Sequence, residues 1–222
     1  MPQQPTKDPR LISYDTLRKA IGWLGISLPA VMISGSYFYG NCRFIQDTTS
    51  HYYYTITGNL FTGIVCAVAL FLIVYKGYSL LDHVMTSLAG CFAFGIAMYP
   101  TNDNSSDSCA IFHLPLNTIR NNIHYGFSAL FFITLALISL FLFTKDDGNK
   151  TKKKRTRNTI YRTCGIIILL SMSLIALYNF SGDTFHRFDA YKPVFWIEWI
   201  ALAAFGASWL VKGKLLLDDD VK

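Results

Sequence analysis

Residues 193–211 read PVFWIEWIALAAFGASWLV. Glu198 is the one charge in this run. At 1.5 Å of rise per residue the run spans about 28 Å, close to the roughly 30 Å hydrocarbon core of a bilayer. Inside hydrocarbon every backbone N–H and C=O must be paired within its own segment, so the run reads as a transmembrane helix. Five further apolar blocks repeat the pattern, at about residues 20–39, 55–75, 81–99, 123–143 and 161–180. The expected fold is all-α, a polytopic bundle of six transmembrane helices over residues 20–211, flanked by tails at 1–19 and 212–222.

Composition excludes other classes. Charged residues make up 15% of the 222-residue chain and hydrophobic residues 52%, against about 25% charged in an ordinary soluble domain. Disorder needs the opposite balance. The formal charge of +6 does not point to nucleic acid, because the apolar residues form long blocks rather than lying beside basic clusters. Basic residues instead separate by side. If the six blocks alternate across the bilayer, one side carries 16 of the 20 Lys and Arg, and the other only Arg43, Arg120, Arg187 and Lys192. Positive residues stay cytoplasmic, so both termini are expected inside a plasma or bacterial inner membrane. The first block is too long for a signal-peptide core and lacks a small-residue cleavage site, so it reads as an uncleaved helix with Pro29 near its middle. The basic segment 150–157 reads first as a topology signal, and could also hold anionic lipid headgroups.

Cofactor motifs are absent: no haem-attachment pattern, no phosphate-binding glycine loop and no G-x-S-x-G. Cys42 and Cys109 fall in outer loops and are the disulfide candidates in an oxidising compartment. Ala89, Ala93 and Ala97 recur at helical spacing, as do Ala203 with Ala207 and Ala204 with Ser208, which suits close helix packing.

The polar residues that a bilayer makes costly carry the functional reading. Glu198 is the only glutamate in the chain and lies within the sixth block. An intramembrane carboxylate marks a candidate site and needs a named partner. His124, at the same depth in the fourth block, is that partner. Asn117, Asn121, His124 and Ser128 share one helical face by their 4-3-4 spacing, and Thr55, Asn59, Thr62 and Cys66 share another. Asn179 ends the fifth block outward, and His51 and Asp103 belong to outer loops. The expected ligand-binding set is His124, Glu198, Asn121, Asn59, Asn179, His51 and Asp103, around an outward-facing polar cavity. Binding or sensing of a small polar ligand or lipid headgroup leads. A membrane hydrolase or lipid-modifying enzyme using His124 and Glu198 as an acid–base pair is the first alternative, and a cation or proton pathway the second. A polar pair that merely holds two helices together explains the same residues. His51, His124, His186 and Glu198 are the conceivable metal ligands, but no H-x-x-x-H or H-E-x-x-H spacing supports a site.

Several stretches resemble a bacterial six-helix integral membrane family of unknown function. They are His51-Tyr52-Tyr53-Tyr54-Thr55, Gly58-Asn59-Leu60-Phe61, Tyr75-Lys76-Gly77-Tyr78, Tyr99-Pro100-Thr101, Ile123-His124-Tyr125, Tyr161-Arg162-Thr163-Cys164-Gly165 and Trp196-Ile197-Glu198, with Phe205 to Gly213. The likeness covers about residues 40–214. More distantly the chain is similar to the Frag/DRAM/Sfk-type six-helix proteins, a resemblance that implies lipid handling. The seven-helix metal-dependent hydrolases typified by alkaline ceramidase differ in helix number and in the histidine pair, so their zinc chemistry does not carry over.

Overall fold

A computed structural model describes residues 9–77, 79–103, 109–145, 151–181 and 187–215. Among these residues the structure is all-helical, with no strand. Its α-helices are α1 (Pro9–Gly40), α2 (Gly58–Val74), α3 (Leu80–Met98), α4 (Thr118–Leu137, continued by a π-turn Ile138–Leu142), α5 (Lys152–Phe180) and α6 (Pro193–Lys212). A 3-10 turn, Thr49–Tyr54, precedes α2 and a second, Asp189–Tyr191, precedes α6. Five of the helices are long and apolar enough to cross a membrane, and α2, with 17 residues, is a shorter apolar helix.

Local chemistry sets the helix starts. Ser79 and Asp82 close a capping box on α3, and Asn117 and Thr151 cap α4 and α5 through their side-chain oxygens. Pro193 opens α6, where its missing N–H costs nothing. Four starts differ from the sequence expectation; α4 begins at Thr118 rather than at 123, where Asn117 caps it. α1 begins at Pro9, within the segment expected as a tail. α5 begins at Lys152, so Lys152, Lys153, Lys154, Arg155 and Arg157 form helical turns rather than a loop. Lys150 lies outside the described residues. α2 begins at Gly58 rather than at 55, because the Thr55 amide and hydroxyl both bond to the Tyr52 carbonyl at 3.1 and 2.9 Å and end the preceding turn. Thr55 therefore leaves the stripe that spacing had given it, and it joins Ser36 and Thr57 in a buried hydroxyl cluster at 2.8–3.2 Å.

The helices pack in sequence order around a ring. Each touches its neighbours in the chain, and α6 closes against α1. That closing seam is tight: a Cβ on Gly206 would come within 2.4 Å of the Gly22 carbonyl oxygen and of Ile26. Small residues are what allow backbones this close. At the end of the ring near residue 75, Arg18 is buried, donates to Tyr75 Oη from Nε and Nη2 (3.2 and 3.0 Å) and pairs with Asp15 at 2.9 Å. Nearby, Lys145 Nζ meets Asp82 at 2.6 Å. At the other end a disulfide joins Cys42 to Cys109, with Cα atoms 5.7 Å apart.

Gly206→Val should open the α1–α6 seam. Overpacking of this kind costs about 1–3 kcal/mol, so thermal unfolding in detergent should show a lowered Tm. An exposed control on the outer face of α5, Leu174→Val, should change little.

Candidate functional site

The site is organised by the turn Thr49–Tyr54, which packs on α1, α2 and α6 at one end of the ring. Thr48 caps it, its hydroxyl accepting the His51 amide. The Thr49 amide donates to Glu198 Oε2 at 2.7 Å, across 149 residues. His124 Nε2 lies 3.1 Å from Ser50 Oγ. Glu198 and His124 thus grip consecutive residues of one turn.

Tautomers follow from the acceptors. His124 Nδ1 lies 2.7 Å from the Tyr99 carbonyl oxygen, which can only accept. Nδ1 therefore carries the proton, Nε2 is the lone-pair nitrogen, and Ser50 Oγ–H donates to it. In His51 the roles reverse. Its Nε2 donates to the Asn102 carbonyl at 3.0 Å, leaving buried Nδ1 without a hydrogen-bond partner among the described residues. The four carbonyls that follow α3 are each met by a side chain: Tyr99 by His124, Pro100 by Arg120 Nε at 3.0 Å, Thr101 by the Tyr54 hydroxyl, and Asn102 by His51. These carbonyls lie beyond the helical ladder of α3, so side chains supply the partners that backbone does not.

Inside the ring lies a cavity of about 70 Å³. Its wall is apolar, with Leu28, Val65, Ile96, Phe131, Leu202 and Phe205 among the lining side chains. Glu198, Thr49, Ser50 and Ser128 supply its polar end. None of the lining residues comes from α5. Glu198 is half-buried and lines the cavity. A carboxylate offers about four acceptor sites, and the Thr49 amide occupies one. Thr49 Oγ1 lies close to the carboxylate but reaches hydrogen-bond geometry with no group among the described residues.

Other expected residues fall elsewhere. Asn121 Oδ1 accepts from Thr101 Oγ1 and the Asn102 amide at 2.8 and 2.9 Å, holding the loop after α3. Asp103 is buried with Oδ2 3.4 Å from His113 Nδ1. Asn59 and Asn179 are exposed and line no part of the cavity, a correction to the polar stripe expected on α2 and to the site expected at the outward end of α5. The inward face of α2 is instead its apolar one, with Phe61, Ile64, Val65 and Val68. The expectation of a mainly polar cavity is corrected in the same way. His186 lies outside the described residues. Among those described, no three His, Cys, Asp or Glu side chains gather as a metal site. Thr49 and Ser50 were missed; the hydroxyl run Thr48-Thr49-Ser50 before His51 is the signal that marks them.

No protein family, curated protein or solved structure matches the chain.

Burial lowers the His51 pKa below the ordinary imidazole value, against the opposing pull of Asp47 and Asp103. Burial also pushes the Tyr52 hydroxyl up to about 12. For His51 the unfolded chain binds the proton more readily than the folded one, so stability is present above about pH 6.5 and falls as pH drops through that value. Tm measured between about pH 5 and 8 should decline on the acid side. His51→Asn should flatten that decline.

Proposed function

We propose that the chain is a six-span membrane protein that binds a small amphiphile in its central cavity, with Glu198 receiving a hydrogen-bond-donating head and the apolar wall receiving a short alkyl body. One observation carries this reading: a carboxylate with one backbone donor stands at the end of a cavity otherwise lined by hydrocarbon. A ligand with hydroxyl or ammonium donors would complete its acceptor sites, and charge-assisted bonds of that kind are the strong ones. Glu198 and Phe205 both line the cavity, and seven residues along a helix set them about 10 Å apart. That depth suits an alkyl body rather than a headgroup alone. The resemblance to lipid-handling six-helix proteins points in the same direction. His124 serves this reading by holding Ser50, and through it the turn, beside the carboxylate.

The topology belongs to the same proposal. Seventeen residues of α2 rise about 26 Å, at the short end of what spans a bilayer, and α2 is flanked by spans α1 and α3 in the ring. Five basic residues in the first turns of α5 oppose the helix dipole. A cytoplasmic address explains why they stand there, and it leaves anionic lipid headgroups as their natural neighbours. The disulfide lies at the opposite end, as an oxidising compartment requires. Cation passage has less support, since beyond Glu198 the lining turns to Val, Leu and Phe.

The test uses 1-propanol, whose size suits a cavity of about 70 Å³. It should raise the Tm of the purified protein, whereas its isomer ethyl methyl ether, of equal size but lacking a donor, should not. Glu198→Gln should weaken binding by about tenfold or more. Equal binding of both isomers, or full affinity in Glu198→Gln, overturns the assignment.

A further inference from the structure

We propose that Ser50 is a nucleophile, with His124 as its general base, for acyl transfer from a small ester of an alcohol-headed amphiphile. The inference rests on the amphiphile reading above and names the chemistry of the same cavity. Nucleophilic serine catalysis needs three parts: a hydroxyl, a base within hydrogen-bond reach, and a group that fixes the base. All three stand in line here. Ser50 Oγ is 3.1 Å from His124 Nε2, and His124 Nδ1 is 2.7 Å from the Tyr99 carbonyl. The carbonyl makes Nε2 the basic nitrogen, so the Ser50 proton already points along the transfer path.

Place in the fold separates this pair from an ordinary buried bond. His124 is buried, but Ser50 lines the cavity wall and keeps accessible surface. A second hydroxyl on this wall, Thr49 Oγ1, lies close to the Glu198 carboxylate and belongs with it to the end that receives the alcohol head. Glu198 faces the same end and suits the hydroxyls of the alcohol head, while the acyl chain takes the apolar wall.

The reaction balances with water as the only co-reactant. Ser50 Oγ forms a bond to the acyl carbon as its proton moves to His124 Nε2. The bond from that carbon to the alcohol oxygen breaks, and the leaving oxygen takes the proton from Nε2. Water then attacks the acyl-Ser50 ester, giving a proton to Nε2. The carboxylic acid departs and Ser50 Oγ recovers its proton.

The experiment treats full-length protein in detergent with vinyl acetate, a small acyl donor, quenches in acid and reads adducts by intact mass and peptide mapping. Binding of 1-propanol is measured on the same samples. The expected result is a single acetyl adduct on Ser50, absent in Ser50→Ala and formed about a hundredfold more slowly in His124→Gln, with propanol binding kept in Ser50→Ala. Hydrolysis of methyl acetate to acetate should follow the same order. Propanol binding without a Ser50 adduct overturns the nucleophile and leaves the binding site standing. An adduct that forms equally fast in a His124→Gln protein that still binds propanol overturns the base. Loss of both adduct and binding in the wild type overturns both readings.

Discussion

The bond from the Thr49 amide to Glu198 holds the two ends of the chain's membrane part together at one point. Buried backbone needs its N–H and C=O groups paired. The largely buried turn Thr49–Tyr54 finds those partners around it. Glu198 takes its first amide, Thr48 takes the His51 amide, and Thr55 closes on the Tyr52 carbonyl. With the turn docked, Ser50 meets His124 and Thr49 becomes cavity wall. Without that bond, the carboxylate would be an uncompensated charge among Leu, Val and Phe.

A second set of donors serves the exit of α3. The four carbonyls from Tyr99 to Asn102 draw in His124, Arg120, Tyr54 and His51. These carbonyls decide the protonation pattern of both histidines, and they decide it in opposite senses. His124 is left basic toward Ser50, and His51 is left with its lone pair in a site enclosed by protein. The two imidazoles thus differ because one carbonyl faces Nδ1 and another faces Nε2.

Much of the helical fold was legible because its signal is local: long apolar blocks, cap residues at Ser79, Asn117 and Thr151, and Pro193 at a helix start. The boundaries that moved did so for reasons periodicity does not carry. Thr55 spends its hydrogen bonds on the preceding turn, and Lys152 joins a helix whose dipole it opposes. Glu198 and His124 stood out from cost alone, since few residues at that depth are polar. Their intermediary did not. Thr49 and Ser50 are small, sit in a loop-like stretch, and acquire meaning only through contacts 74 and 149 residues away. Asn59 misled for the converse reason: spacing fixes a shared face of a helix but not the direction that face points. Asn179 misled because an outward helix end fixes depth and not facing.

The ring closes between its first and last members, and this orders its assembly. A chain that enters the membrane from its N-terminus presents α1 with its Gly22 side bare until α6 has been made. The turn waits equally long, for its acceptor lies on the final helix. Cys42 and Cys109 come from the first half and can be joined before then, which keeps the outer loops in register while the seam is still open. The cavity is therefore the last part of the molecule to exist, and a chain that stops short of residue 193 has a disulfide-clipped bundle with no pocket.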